Sequence, residues 1–303
     1  MTRDQNNDHL KPVIFGEVLF DCFPGGEAVL GGAPFNVAWH LQALGDAPCF
    51  ISRVGKDDHG ARIREAMRGW GMDDSGVQQD PAYATGQVMV DFDDGEPHYD
   101  IRADVAYDFI DTEQLPQFDH PGLLYHGTLA LRNPVSRRAL DALAAKGEFS
   151  VFLDVNLRPP WWNATNVRDY LQRARWAKLN HHELALLTDN ESDVQQQAER
   201  LRQDCQLELL VVTHGSKGAQ VYGDGGVLAQ VVPAAANRVV DTVGAGDAFT
   251  SVLLHGLLQD WPLQQSLDAA QAFASAVVGI RGAVPADKEF YRQHLPAAGQ
   301  GPG

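Results

Sequence analysis

The chain has 303 residues, 44% of them hydrophobic, enough for one large α/β domain or two small ones with a substantial core. Acids outnumber bases 40 to 24, a formal charge of −16, which argues against a nucleic-acid or anionic-membrane partner. Any phosphate must then be held locally, by backbone N–H groups and a few placed cations.

From the N-terminus, residues 1 to 11 are polar and lack the apolar stretch of a signal peptide. With 297 to 303 they form the ends expected to be loose. No run of about 18 uncharged apolar residues follows, so no spanning helix and no membrane partner are expected. "VIF" at 13 is the first strand signal, and 17 to 32, "EVLFDCFPGGEAVLGG", continues strand-like. "GGAPFNVAWHLQALG" has helical spacing; "PCFISRV" at 48 reads as strand and "HGARIREAMRGWG" as helix. Residues 86 to 109 hold two strand-like runs around the turn-forming "DDGEP". Then strand and helix signals alternate through "GLLYHG", "SRRALDALAAKG", "FSVFLDV", "WAKLN", "DVQQQAERLRQDC" and "LELLVVTHG". This alternation predicts a mostly parallel sheet with helices on both faces. The two strand-like segments, about 17–32 and 86–109, predict a small accessory β layer: a lid over a site at the strand ends, or a hairpin covering a sheet edge. No repeat, low-complexity tract or linker divides the chain, so residues 1–303 are read as one domain. Cys22, Cys49 and Cys205 match no zinc or disulfide spacing and fit a reducing cytoplasm.

The chemistry concentrates in "VVDTVGAGDAFTSVLLHGLL", residues 239 to 258. A β-branched run stops at an acid, a glycine-spaced turn follows, and Asp247 stands where an apolar helix begins. In open parallel sheets ligands sit beyond the carboxyl ends of the strands, where helix N-termini present unpaired N–H groups. Gly244 and Gly246 would let backbone approach an anion there. Asp247 then has two readings. It caps the helix, accepting those N–H groups itself, or it is left to take a proton from an attacking hydroxyl. The spacing is neither a Rossmann fingerprint nor a P-loop. Gly31 and Gly32, followed by Pro34 and Asn36, form a second glycine turn that suits a polyol, or a tight strand-to-helix turn with Asn36 as a local cap.

Six stretches, "GGAPFNVAWHLQALG", "RVGKDDHG", "DVNLRPPWW", "KLNHHE", "VVTHGSKG" and "DTVGAGDAF", occur in an order that resembles the ribokinase-type (PfkB) carbohydrate kinase family, in particular its fructokinase branch. The resemblance runs from Gly16 to about Ala283. It implies a ribokinase-like three-layer α/β/α fold with a small β lid and ATP-dependent phosphorylation of a sugar's primary hydroxyl. Fructose is the first expectation from "GEVLFD" and "GGAPFNVA". 2-Keto-3-deoxygluconate, ribose and a nucleoside are the alternatives within the fold, and a non-catalytic sugar-sensing protein is a remoter one.

The resemblance further implies roles residue by residue. Asp247 matches the catalytic base, and Gly244, Ala245 and Gly246 the anion hole for the γ-phosphate. Asp21, Gly32 and Asn36 match positions that hold sugar hydroxyls, and Arg102 the lid arginine that reaches over the sugar. Asn180 and Glu183 match the residues that organise Mg²⁺ through water. Thr213, Gly215, Lys217 and Gly218 match the nucleotide-phosphate contact region. Asp241 and Thr242, with Gly282 and Ala283 opposite, match a loop pair that in some relatives holds K⁺. A homodimer through the lid is the partner state the resemblance suggests. "TSVLLHG" and "FASAVV" depart from the family's smaller residues and asparagine beside the nucleotide. Adjacent histidines in "HHE" diverge on a helix, so no histidine metal site is expected. Asp57, Asp58, Asp93 and Asp94 are read as solvated loop charges.

Overall fold

Val13, Ile14 and Phe15 of β1 (Lys11–Phe15) are all fully buried, yet they serve two different cores. Ile14 packs with Phe35, Trp39 and Phe50, while Val13 and Phe15 pack with Leu140, Leu143 and Leu171. A side-chain period of two requires this of a strand covered on both faces. The computed structural model describes residues 10–93, 96–188, 193–233 and 239–294. The ends expected to be loose lie almost wholly outside these residues, as do Asp94 and Gly95 of the "DDGEP" turn.

The main sheet has nine strands. β1 lies between β4 (Cys49–Gly55) and β8 (Gly122–His126), with β5 (Val77–Asp80) beyond β4. On the other side β9 (Phe149–Asp154), β10 (Trp176–Asn180) and β11 (Leu209–Thr213) follow β8, all parallel. The antiparallel hairpin of β12 (Ala219–Gly223) and β13 (Gly226–Val231) closes that edge. The sequence alternation did not mark this hairpin. Its turn uses Gly225 and Gly226 at φ 90° and 110°, a signal hidden in a short polar stretch.

One face is covered by α1 (Ala33–Leu44), α2 (Asp58–Trp70), α7 (Ala245–Leu258), α8 (Leu263–Val277) and α9 (Lys288–His294). The other carries α3 (Pro134–Lys146), α4 (Ala164–Arg173), α5 (His181–Leu187) and α6 (Val194–Asp204). Helix α7 is buried from Ala248 through Gly256 and crosses α8 so closely that a Cβ on Gly256 would lie 2.1 Å from Ser266 Oγ. Among the described residues no helix is long and apolar enough to cross a membrane.

The lid is a second sheet in the order β3 (Ala28–Gly31), β2 (Leu19–Cys22), β6 (Gly86–Asp93) and β7 (Glu96–Ile101). Its two segments are those the sequence separated from the alternation. The second, however, stops being strand at Ile101 rather than reaching 109. Residues 106–109 form one tight helical turn beneath the lid, because the Asp108 carboxylate accepts Val105 N–H and pairs with Arg132 Nε at 2.7 Å. Leu19, Val88, Val105, Tyr107, Leu129 and Ala130 make the small core on which the lid stands.

Asp57 corrects an expectation. Though exposed, it is more than a loop charge: Oδ1 accepts Gly60 N–H at 2.8 Å and caps α2, while Thr85, just before lid strand β6, gives both its N–H and its hydroxyl to the same carboxylate. Burial opposes ionisation, but the Thr85 and Gly60 bonds hold this carboxyl below its usual value. A folded-state value held down contributes stability above the unfolded value that is lost as pH falls through the folded one. Asp57→Ala is expected to lower the unfolding free energy by about 1 kcal/mol at neutral pH. The urea midpoint measures it, and the difference from wild type should shrink in acid.

Candidate active site

All parallel strands end toward one rim, and the chemically active residues stand there. Helix α7 opens at Gly244, whose φ of 79° is left-handed and whose Cβ, if present, would lie 2.3 Å from Ala283 Cβ. Only glycine fits that turn. Among the described residues no side chain caps this helix end, and Ala245 N–H makes only a long bond, 3.4 Å to Thr242 O, that an incoming anion could displace. A Cβ on Gly246 would meet Lys178 Nζ at 4.0 Å, which puts a cation just beneath the turn. Lys178 is buried and paired at 2.7 Å with Asp154, its register partner on the adjacent strand; Thr250 Oγ1 donates to the same carboxylate oxygen at 2.9 Å.

Asp247 does not cap α7. Its Oδ2 instead accepts the side-chain amide of Asn36 at 2.7 Å, a bond from α1 that spans 211 residues of sequence. Burial pushes the Asp247 carboxyl up to about 6 and the Asp154 charge adds to this, against the Asn36 bond and the Lys178 and Arg158 cations. Such a carboxylate is a stronger base than an exposed one and is still ionised at neutral pH. Asn36 is no local cap of α1 either: among the described residues that end has no side-chain cap and Asn36 Oδ1 is buried without a partner, and Pro34 lies in its first turn.

Asp21 sits half-buried on lid strand β2, its carboxyl pushed up to about 6 by burial against the pull of Arg158. Gly32, at φ 111°, leaves no room for a Cβ, which would lie 2.8 Å from the Glu17 carbonyl oxygen. Arg102 is exposed at the end of β7, its backbone N–H bonded to Gln87 O. Asn36 and Asp247 are thus joined directly, Gly32 opens the helix that carries Asn36, and Asp21 lies on the lid strand paired with β3 just before it, while Arg102 acts on Cys22 and is not brought to the other four.

The residues that the resemblance matched to the nucleotide lie on β10 and β11 and the turns after them. Asn180 and Thr213 are register partners at the ends of β10 and β11. Asn180 and Glu183 form a capping box: Asn180 Oδ1 accepts His182 and Glu183 N–H, and Glu183 Oε2 accepts Asn180 N–H at 2.8 Å. Glu183 Oε1 accepts Leu157 N–H at 2.8 Å, and the side chain is buried. Both carboxylate oxygens therefore hold backbone, and each retains a lone pair that a water could use. Among the described residues no group of acids, histidines and cysteines is arranged to hold a metal alone. This donor set fits a divalent ion carried mainly by phosphate oxygens and reached through water.

Gly215, at φ 58°, and Lys217 are exposed in the tight turn after β11. Gly218 is buried, and a Cβ there would fall 1.9 Å from Val231 O, so β13 alone demands this glycine. Asp241 fastens the two loops that would flank a cation: Oδ1 accepts Val243 N–H at 3.0 Å and Oδ2 accepts Gly282 N–H at 3.1 Å.

Three charged residues that the sequence reading did not single out belong to this rim. Arg158, exposed after β9, acts electrostatically on Glu17, Asp21 and Asp247. Its signal was present in "DVNLRPPWW", as a lone arginine just past a strand end. Lys178 lay in "KLNHHE" and Glu17 in "GEVLFD", but neither shows its burial in sequence.

A glycine-turned helix start at the strand ends, a buried carboxylate held from another helix and a small covering sheet suit an α/β phosphotransferase. A family model described as pfkB family carbohydrate kinase matches residues 23–289. The fructokinase of Escherichia coli is 31% identical over 299 residues, covering 90% of this chain and 94% of that protein. A solved double mutant of fructokinase from Vibrio cholerae O395, in a form with fructose, ADP and potassium ion bound, has a TM-score of 0.81 at 26% identity, covering 95% of this chain and 99% of that one. Aminoimidazole riboside kinase from Salmonella enterica, complexed with aminoimidazole riboside and an ATP analog, has a TM-score of 0.81 at 25% identity over 92% and 98% of the two chains. The chain belongs to the PfkB family of carbohydrate kinases, ATP-dependent phosphotransferases with the ribokinase-like α/β fold.

Proposed function

We propose that this kinase transfers the γ-phosphate of ATP to the primary hydroxyl of a small neutral sugar, with fructose as the substrate. The observation that carries this is the Asp247 carboxylate, held by Asn36 instead of capping its own helix. Asp247 takes the hydroxyl proton as the oxygen attacks, and the Gly244, Ala245 and Gly246 amides receive the charge of the transferring phosphoryl group. Asp21, Gly32 and Asn36 meet sugar hydroxyls, with Arg102 closing from the lid. Lid closure keeps water, a competing nucleophile, away from ATP. Thr213, Gly215 and Lys217 lie along the nucleotide phosphates, and Gly218 shapes their turn. Asn180 and Glu183 would hold Mg²⁺ through water, and the loops that Asp241 joins would hold K⁺; both ions would supply positive charge to the nucleotide phosphates.

The chain acts as one catalytic unit with its lid. Two copies pair lid to lid, a reading supported by the exposed Met89 and Tyr99 of that sheet and checked by a light-scattering mass. Three unpaired cysteines support a reducing compartment such as the cytoplasm.

Coupled ADP release across fructose, ribose, 2-keto-3-deoxygluconate and adenosine tests the substrate. Fructose should give the highest kcat/KM; a nucleoside or riboside in first place would overturn the fructose assignment while leaving the kinase chemistry standing. The riboside kinase neighbour makes that the second reading to measure. Arg102→Ala should raise the fructose KM several-fold with a smaller loss of kcat, as expected when an arginine that clamps bound substrate is removed. An unchanged KM would show that this arginine stays clear of the sugar.

A further inference from the structure

Glu17 is a buried carboxylic acid held by no other residue's hydrogen bond among the described residues; only its own backbone N–H serves it. It follows Gly16 at the end of β1, is 3% exposed, and its backbone carbonyl presses against Gly32. Its Oε2 is sealed from solvent and meets no donor among the described residues. Buried polar atoms without partners are few in folded proteins, and a cluster of them marks where a ligand or ordered water completes the set. Three more belong to its neighbours: the Arg132 Nη1 and Tyr107 hydroxyl of side chains that act electrostatically on Glu17, and Oδ1 of Asn36, which is bonded to the nearby Asp247. They come from α1, from the turn after β8 and from the turn beneath the lid. Neither Arg132 nor Arg158 closes to an ion pair with Glu17 among the described residues; Arg132 is committed to Asp108.

We propose that Glu17 is a substrate-holding residue of the sugar site, donating the proton of its neutral carboxylic acid to an oxygen of the bound sugar. This rests on the reading above that the site takes a neutral sugar. The groups that face Glu17 are Arg158 from the loop after β9, Arg132 from the turn after β8, Asp247 from α7, and the un-ionised Tyr107 and Tyr125. Burial pushes the Glu17 carboxyl up to about 7 and the Asp247 charge adds to this, against its own backbone N–H and the two arginines. Near neutrality a substantial share of Glu17 is therefore the acid, which can donate where a carboxylate cannot. As pH rises through that value Glu17 ionises, the donor is lost, and a second negative charge appears beside Asp247.

The test is the pH dependence of fructose KM and kcat, and of the fructose-induced thermal shift, for wild type, Glu17→Gln and Glu17→Ala. In wild type, KM should rise above pH about 7, by up to roughly tenfold per further unit, as the binding-competent fraction falls. Glu17→Gln keeps a donor that cannot ionise, so its KM should stay flat across the same range and near the wild-type value at lower pH. Glu17→Ala should raise KM at every pH without that slope, with kcat less affected. A merely structural role would shift the melting temperature of both variants and leave the pH slope of KM in place. If wild type is active and Glu17→Gln keeps its slope, or Glu17→Ala leaves KM unchanged, the Glu17 assignment is overturned while the sugar kinase reading stands. If wild type neither binds nor phosphorylates any sugar of the panel, that reading fails and the Glu17 role falls with it.

Discussion

Asp247→Asn is expected to cut turnover by at least about a hundredfold while leaving sugar affinity nearly unchanged, since a positioned base contributes about 10² to 10⁴. The substitution is close to isosteric, and the new amide oxygen can still accept from Asn36, so the packing around α7 and α1 survives. Only the capacity to receive a proton disappears. The same argument fixes a pH dependence. With the carboxyl at about 6, kcat/KM for wild type should fall roughly tenfold per unit below that pH, as the base becomes protonated. Steady-state kinetics on the purified variant and a pH profile of the wild type measure both. Near-normal turnover in the variant would mean that another group removes the proton.

Lys178→Ala is expected to lower stability by about 3 to 5 kcal/mol, the scale for removing one partner of a buried ion pair. The pair is deeply enclosed, with side-chain exposures of 8% for Lys178 and 3% for Asp154, so water cannot replace the lost ammonium. Thr250 continues to donate to Asp154, but one hydroxyl does not neutralise a buried carboxylate. Urea unfolding measures the loss. Lys178→Met combined with Asp154→Asn should recover a large part of it, because that double change removes both charges. Equal stability of the single and double variants would show that the pairing energy is small. Lys178 also stands under Gly246, so the single variant should lose turnover in conditions where it remains folded.

The sequence posed the central question without answering it. "VGAGDAF" marks an acid at a helix mouth, but whether that acid locks the helix start depends on Asn36, which lies 211 residues earlier and reaches it only through the packing of α1 on α7. Strand and helix alternation predicted the parallel sheet well, because covered strands carry continuous apolar runs. It passed over β12 and β13: β12 has five residues, four of them buried, and only one of the six in β13 is buried, so neither shows a clean alternation. Asn180 and Glu183 obey a readable capping-box spacing, and that local bonding accounts for both side chains before any metal is considered. Glu17, Arg158 and Lys178 escaped notice for a different reason. Single charges carry no periodicity, and their chemistry comes from what encloses them.

Helix α1 touches both halves of the molecule's work within one turn. Asn36 grips Asp247, and Trp39, stacked on Trp70, donates through Nε1 to the carbonyl of Pro285 at 3.1 Å, just past the loop that packs on Gly244. Three residues of helix are too stiff to bend between these grips, so a tilt of this rod displaces the proton acceptor and the 282–285 loop together. Were occupants on the two sides to tilt this rod, whatever factor one added to the other's affinity would have to be returned unchanged.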